Sequence, residues 1–470
     1  MKHNDISRRQ FLKTLGASAV ATSVALTGYN DSHARIVTSE RPVAIDRMTY
    51  RMAPATGNRI SLLGYRMMHL PVKEGCIERE YVGASIDQAQ VNRLVDYAIE
   101  HGVNYFDTAP TYCNGLAEHA TGLALSRHPR NAYFIATKMS NLAPEMWSRK
   151  ACTEIFENSL KALQTNYIDY YLLHGIDGGN DALAAFNACY IENGVFDYFI
   201  EQRQCGRIHN VGFSYHGDVH IFDLALQMHD RGYVHWDFVQ IPLNYVDWKC
   251  AQKINPQNTN VAYLYGELHR RGIPIVVVEP LLGGRLATMA NGITVQMKQR
   301  NPDCSVASWA LRYAGTYPDV ITILSAMTYM EHLQDNLRSL APLSPLTDND
   351  RHFLDGVAQQ IAMLPNIPCT ACNDCLPCPC GLDIPAVFAH YNKCIADDQR
   401  KREYALQNTA YYRQRRDFLL GYDRHVPRLR QSHYCNGCRR CLSRCPQHIN
   451  IHTEMFKISD YVEKLKQSCV

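Results

Sequence analysis

The sequence predicts an α/β protein, a (β/α)8 or TIM barrel followed by a smaller and mainly helical domain. Two observations lead to this prediction. Between residues 59 and 324, eight short runs rich in β-branched and aromatic residues alternate with segments of helical periodicity. Beyond residue 343 these runs stop, and helical patterns and two groups of cysteine follow. An open doubly wound sheet is the structural alternative for the first part.

The eight β-rich runs predict the eight strands of the barrel in chain order. They cover residues 60–63, 103–107, 133–138, 168–173, 208–213, 237–241, 273–279 and 320–324. The segments between them carry apolar residues at helical spacing. In this fold the active site lies at the carboxyl ends of the strands. Polar residues that follow a strand are therefore candidates for function.

The N-terminus predicts an export signal. Residues 7–13 read SRRQFLK, a twin-arginine signature, and a mildly apolar run and a small-residue site at 32–34 follow it. We therefore assign residues 1–34 to a twin-arginine signal and expect a periplasmic protein, exported already folded. A surface helix with adjacent arginines is the alternative. No later apolar run approaches the roughly 18 residues that span a bilayer, so no transmembrane segment is expected after signal removal.

Charge and cysteine content narrow the classes of partner. The 470 residues carry a formal net charge of +3 without a long basic run, so we expect no nucleic acid partner. Half of the 18 cysteines lie in two tight groups, a distribution that indicates ligands and not a disulfide framework. We place the barrel at residues 35–345 and the helical domain at residues 346–470.

The two cysteine groups predict iron–sulfur clusters. Residues 435–446 read CNGCRRCLSRCP, the spacing with which ferredoxin-type loops bind 4Fe-4S clusters. Residues 369–380 read CTACNDCLPCPC, which is one residue shorter before its Cys-Pro and has an extra Cys380. Zinc is the alternative, since CxxC pairs also suit tetrahedral sites. Three successive cysteines at this spacing that end in Cys-Pro favour iron and sulfur.

An internal repeat decides which cysteines are ligands. Residues 378–384, CPCGLDI, align with residues 445–451, CPQHINI, so Cys378 is equivalent to Cys445 and Cys380 falls outside the set. Because the fourth cysteine of such a motif ligates the other cluster, the ligands cross between the groups. One predicted cluster has Cys369, Cys372, Cys375 and Cys445, and the other has Cys435, Cys438, Cys441 and Cys378. The C-terminal domain is thus predicted to be ferredoxin-type, with two 4Fe-4S clusters.

Four residues at or beyond strand ends suit carbonyl reduction: Asp107, Tyr112, Lys138 and His174. When hydride reaches a carbonyl carbon, the oxygen needs a proton, and a phenol is a reluctant donor at neutral pH unless a cation is near. Lys138 can supply that charge and Asp107 can hold the lysine. His174 can orient the carbonyl or pass the proton in the reverse direction. Each residue alone could equally be structural.

In this order, after three successive strands, the four residues resemble the catalytic tetrad of the aldo-keto reductases. The resemblance extends over most of residues 58–340, and the cysteine groups make the chain similar to family members with a C-terminal dicluster domain. The resemblance implies a small carbonyl or alcohol substrate and makes NAD(P)H a candidate cofactor. It places nicotinamide near Ser214 and Gln240, pyrophosphate near Leu281 and Gly283, and adenine near Ser325 and Asn336.

Two departures from the family pattern bear on the cofactor. Residues 278–281 read VEPL where many relatives have Tyr-Ser-Pro-Leu, so Val278 replaces the tyrosine that stacks on nicotinamide in those relatives. Residues 325–330 contain no Lys or Arg for the 2′-phosphate of NADP. Either a dinucleotide is exported already bound, or electrons arrive through the clusters from a redox partner protein. The competing hypothesis is an electron-transfer or partner-docking protein with a catalytically retired barrel.

Overall fold

The computed structural model describes residues 47–467, except 55, 77–80, 177–181, 216, 365, 403–408, 443 and 446. The predicted signal over residues 1–34 lies outside the described residues. A two-stranded antiparallel hairpin, β1 (Tyr50–Met52) with β2 (Arg59–Ser61), precedes a closed barrel of eight strands. The barrel strands are β3 (Leu63–Arg66), β4 (Tyr105–Asp107), β5 (Phe134–Met139), β6 (Ile168–Leu173), β7 (Ile208–Ser214), β8 (Phe238–Pro242), β9 (Ile275–Val278) and β10 (Val320–Ser325).

All eight barrel strands are parallel, and each pairs with its neighbours in chain order until β10 closes on β3. The closed order confirms the predicted (β/α)8 barrel and makes the doubly wound sheet wrong. Seven strands fall within two residues of their predicted bounds at each end. Parallel pairing brings the carboxyl ends of all strands to one rim of the barrel.

The first predicted strand, residues 60–63, is wrong. Ile60 pairs with Arg51 in the hairpin, and the first barrel strand starts only at Leu63. Arg51 donates to the carbonyl oxygen of Val320 at 3.0 Å, where β10 begins, so the hairpin lies at the amino end of the barrel. A short apolar run does not reveal which strand it pairs with, and this run contains parts of two strands.

Helices surround the barrel. They are Gln88–Glu100, Ala117–Leu125, Arg149–Ala162, Ala182–Phe186, Val195–Gln204, Val219–Asp230, Asp247–Ile254, Val261–Arg271, Asn291–Arg300, Val306–Thr316 and Met330–Leu340. Their apolar faces and the outward side chains of the strands form the main core. A second core fills the amino end of the barrel with branched side chains and with aromatic rings that meet tilted or edge-on, among them Tyr105, Phe134, Tyr170 and Phe238. The barrel is therefore a packed body whose carboxyl rim carries polar groups.

Beyond the barrel the described chain is helical, with Asp348–Ala362, Ile384–Arg402, Thr409–His425 and Ile451–Gln467. The first of these helices belongs physically to the barrel, because Leu354, Val357 and Ile361 join its main core. The other three helices share a separate core that includes Phe388, Phe418 and Met455. The predicted boundary at residues 345 and 346 stays a prediction.

Two further properties concern the described residues only. None of their cysteines forms a disulfide. No helix among them combines the length and apolar character needed to cross a membrane.

Candidate active site and cysteine loops

A buried ion pair lies at the carboxyl rim of the barrel. Lys138, near the end of β5, donates from Nζ to Oδ1 of Asp107 at 2.7 Å and to the carbonyl oxygen of Thr108 at 2.7 Å. Gln240 donates from Nε2 to the other oxygen of Asp107 at 2.8 Å. Asp107 and Lys138 are almost fully buried, at 0% and 1% exposure. Because buried charges need such partners, the ammonium position is firmly defined.

Tyr112 lies beside this pair. It begins a short 3-10 turn after β4, and its ring centre is 4.7 Å from Nζ of Lys138. The ring of His174, directly after β6, stands edge-on to Tyr112 with 6.0 Å between ring centres. Nδ1 of His174 shares a hydrogen bond of 2.7 Å with Oγ of Ser140. The structure thus brings all four predicted catalytic residues together at one point of the rim.

An arginine contacts the tyrosine hydroxyl directly. Arg66, the last residue of β3, donates from Nη2 to Oη of Tyr112 at 3.1 Å. Its Nη1 forms a 2.9 Å ion pair with Glu279, which follows β9. Burial alone would lower the pKa of Arg66, but Tyr112, Glu279 and Asp107 outweigh burial and raise it. The guanidinium therefore carries a permanent charge at the phenol oxygen.

The residues predicted to bind a dinucleotide lie along the same rim. Ser214 and Gln240 are adjacent in the β7–β8 register and both are fully buried. Leu281 and Gly283 lie in the turn after β9, and Gly283 donates its N–H to Oε2 of Glu279 at 2.9 Å. Asn336 donates to Oγ of Ser325 at 2.9 Å, so these two polar groups partner each other.

Some buried polar atoms at the rim have no hydrogen-bond partner within the described part of the chain. They include Oε1 of Gln240, Oγ1 of Thr108 and Nε of Arg66. Leaving such atoms unpaired costs free energy, about 1–3 kcal/mol each. Their presence beside Tyr112 is consistent with a polar ligand at this rim.

The cysteines fall into two sets that draw on both groups. Cys369, Cys372 and Cys375 line one small cavity together with Cys445 from the second group. Burial raises the pKa of the Cys375 and Cys445 thiols. In the other set, Cys378 lies within electrostatic range of Cys435 and Cys441, and Cys438 lies within range of the same two. Cys380 is also near Cys435.

The two cysteine loops share one backbone pattern. Ala371 and Asn373 have φ of 53° and 69°, and the equivalent residues of the second loop, Gly437 and Arg439, have φ of 74° and 60°. Left-handed backbone is costly for Ala and Arg, by roughly 1–2 kcal/mol per residue. Both loops therefore adopt the same unfavourable backbone conformation at equivalent positions, as expected if both bind the same kind of cluster. Among the described residues, no three His, Cys, Asp or Glu side chains are placed to hold a single metal ion.

Comparison with known proteins decides the family. The model of the aldo/keto reductase family matches residues 76–358, more than half of the chain. The chain belongs to the aldo/keto reductase family. It is an oxidoreductase of that family, as the resemblance of the four rim residues indicated. The match ends before the first cysteine group. A twin-arginine translocation signal model matches residues 5–25, which supports export by that pathway.

Individual relatives of this aldo/keto reductase are distant. The uncharacterized oxidoreductase YqkF of Bacillus subtilis is 26% identical over 285 residues, which cover 57% of this chain and 87% of YqkF. The aldo-keto reductase AKR11C1 from Bacillus halodurans, in its holo form, superposes with a TM-score of 0.51 at 22% identity over 66% of this chain and 96% of that one. An aldo-keto reductase from Klebsiella pneumoniae in complex with NADPH has a TM-score of 0.50 at 20% identity, over 67% and 96%. These structural likenesses show the fold alone.

Sequence reasoning missed Arg66 in this aldo/keto reductase. The predicted first strand ended at residue 63, which placed Arg66 in a loop. Its true place at the end of β3 is the position at which barrel folds carry functional groups. Glu279 was noted only as part of a segment, residues 278–281, that lacks the stacking tyrosine of the family pattern. Its ion pair with Arg66 is a contact that the sequence pattern did not indicate.

Proposed function

We propose that the protein is an exported iron–sulfur oxidoreductase that interconverts a carbonyl and an alcohol at the barrel rim, with electrons relayed by two 4Fe-4S clusters. The arrangement around Tyr112 is the observation that carries the proposal. Arg66 donates to its hydroxyl and Lys138 lies over its ring. Two cations stabilise the phenolate that remains when the proton leaves. Tyr112 is therefore the general acid in reduction and the general base in oxidation.

The other rim residues position these groups. Asp107 and the carbonyl of Thr108 hold the ammonium of Lys138, so the ammonium stays at the ring without moving during a reaction. His174, held by Ser140, orients the carbonyl oxygen toward Tyr112. Because Arg66 carries its own counter-ion in Glu279, it adds a donor to the phenol with little net charge at the rim.

Eight cysteines fit two 4Fe-4S clusters, and the matched left-handed loops support this assignment. Cys369, Cys372, Cys375 and Cys445 would hold one cluster, and Cys378, Cys435, Cys438 and Cys441 the other. Each cubane, when bound, passes one electron at a time. The thiols of the first set line one cavity, and in a cubane each thiolate would bind a different iron; the spacing of three cysteines that ends in Cys-Pro favours iron and sulfur over zinc.

Carbonyl reduction by this protein requires an electron donor besides the substrate. Reduction of a carbonyl to an alcohol takes two electrons and two protons. The aldo-keto reductase from Klebsiella pneumoniae was solved in complex with NADPH, so a nicotinamide dinucleotide is one candidate source of the pair. The other candidate is an electron carrier protein in the periplasm, the location to which the twin-arginine signal would send this chain.

Turnover of carbonyl compounds tests the assignment of Tyr112. Anaerobically purified protein, given a reduced viologen as electron donor, is expected to reduce members of a panel of aldehydes and ketones. Tyr112→Phe should lower the rate at least about 100-fold, because it removes the proton donor and leaves the ring in place. Tyr171→Phe is the matched control, since its buried hydroxyl has no hydrogen-bond partner among the described residues.

Two outcomes would contradict the proposal. Full activity of Tyr112→Phe would reject the role of the tyrosine. A wild-type protein that carries its clusters but reduces no carbonyl would favour the alternative of a retired barrel that serves as a docking platform for a redox partner.

A further inference from the structure

The loop of the first three cysteines, residues 369–375, packs directly on the turn after β9. A methyl group added to Gly283 would lie 2.2 Å from the carbonyl oxygen of Thr370 and 2.6 Å from its Cα. No side chain fits between the two backbones. Cys372 packs against the main core of the barrel, and Cys369 lies within electrostatic range of the half-buried Arg285. The first cysteine loop is therefore seated on the barrel by several contacts.

This turn is the place where the family resemblance puts the pyrophosphate of a dinucleotide. Phosphates are held at such turns by backbone N–H groups and by positive charge. Here the N–H of Gly283 already donates to Glu279. Asp374 of the first cysteine loop also lies within electrostatic range of Arg66 and Glu279. The backbone carbonyl of Thr370 and the carboxylate of Glu279 thus lie at a turn where an anionic phosphate would need N–H donors.

The residues predicted to bind adenine are also buried and already hydrogen-bonded in this structure. Ser325 and Asn336 are both 4% exposed and are hydrogen-bonded to each other. A ligand there would have to break this bond and expose both side chains. The residues predicted for the pyrophosphate and adenine therefore do not fit a dinucleotide in this structure.

We infer that the first cysteine loop permanently replaces the dinucleotide on the barrel, so that the turn at residues 279–285 serves as a docking site for the chain's own C-terminal domain. The contacts alone support the exclusion of NADH and NADPH. The consequence for electron flow rests on the proposed function: the two electrons of each turnover come from an external one-electron carrier through the C-terminal domain. The two protons come from solvent, one of them through Tyr112.

A binding measurement on the wild-type protein tests the exclusion. NADH and NADPH are titrated separately into anaerobically purified, full-length protein, and binding is followed by isothermal calorimetry. We expect no saturable binding below about 1 mM. The Klebsiella pneumoniae enzyme, solved with NADPH, is the positive control for the assay. A micromolar dissociation constant for either dinucleotide would overturn the inference.

A pair of glycine variants tests the docking itself. Gly283 and Gly284 both have left-handed backbone, with φ of 64° and 88°, so alanine strains each. Only at Gly283 does the added methyl meet Thr370; at Gly284 nothing lies within 4 Å. Gly283→Ala should therefore increase amide hydrogen exchange in peptides that cover residues 369–376 at least about 10-fold, and Gly284→Ala should not.

The outcomes separate this inference from the proposed function. Equal exchange in the two alanine variants would contradict the docking. If Gly283→Ala does not fold, the calorimetric titration of wild-type protein still decides whether a dinucleotide binds. Neither measurement depends on carbonyl turnover, so failure of the Tyr112 experiment would leave the result on the loop intact.

Discussion

The ion pair between Arg66 and Glu279 gives the sharpest energetic prediction. Arg66→Met removes the guanidinium, and the N–H of Gly283 then remains as a hydrogen-bond donor to the Glu279 carboxylate. The two side chains are 10% and 14% exposed. Breaking a buried pair from one side costs about 3–5 kcal/mol. Because Glu279 keeps one donor and some water, we expect a loss of about 3 kcal/mol in the free energy of unfolding.

A double-mutant cycle measures the coupling energy between Arg66 and Glu279. Glu279→Gln should cost about 2 kcal/mol, because Arg66 keeps its bond to Tyr112 but loses its counter-ion. The double variant should cost about 2–3 kcal/mol, well short of the sum, because neither charge is then left unpaired. Arg127→Met, which breaks a more exposed pair with Asp96, is the control and should cost less than about 1 kcal/mol.

The assay can be confined to the barrel. All four tryptophans, Trp147, Trp236, Trp248 and Trp309, precede the cysteine groups, so tryptophan emission during urea unfolding reports on the barrel. Unfolding is measured anaerobically for the four variants and the wild type. A loss below about 1 kcal/mol for Arg66→Met, or additive losses in the cycle, would refute the view that these groups form a buried, mutually dependent pair.

Three further predictions concern other parts of the chain. Burial lowers the pKa of His390 to about 4, so between pH 4 and 6.5 the unfolded chain binds more protons than the folded one. The helical domain should therefore lose about 2 kcal/mol of unfolding free energy between pH 7 and pH 5, measured by circular dichroism melts. A His390→Gln variant that still shows the full loss would contradict this prediction. Gly122→Ala should destabilise the barrel by more than about 2 kcal/mol in urea unfolding, because the new methyl would lie 2.3 Å from the carbonyl oxygen of Ala162. An unchanged urea midpoint of unfolding would refute that close approach. Leu354→Ala should lower the free energy of unfolding by about 2–5 kcal/mol in the transition followed by tryptophan emission, because Leu354 lies in the main core. An effect confined to the helices that follow the first cysteine group would show that residues 348–362 belong to the second domain.

The barrel could be predicted because its signal is repeated eight times. Each strand is a short apolar run, and alternation with helices leaves few arrangements. The first strand was misplaced because the run from Arg59 to Arg66 holds two strands that pair with different partners. Because of that error Arg66 was not recognised as a site residue. Its side chain reaches Tyr112 because β3 extends to residue 66.

The contact between the two halves could not be predicted from the sequence. Nothing in the pattern around Gly283 distinguishes a turn that binds phosphate from one that holds Thr370. The left-handed backbone at Ala371 and Arg439 was equally hidden, because neither residue type favours it. Both features depend on packing between segments that are far apart in the chain. The spacing of the cysteines, by contrast, is local and could be interpreted directly.

The iron content of the protein tests the central claim most directly. Protein purified anaerobically from its native compartment should contain about eight iron and eight inorganic sulfide per chain, with a visible absorbance that dithionite bleaches, as two cubanes require. Cys375→Ser and Cys441→Ser, one from each set, should each lose about half of the iron. Protein with stoichiometric zinc, or with no metal and no visible absorbance, would contradict the account.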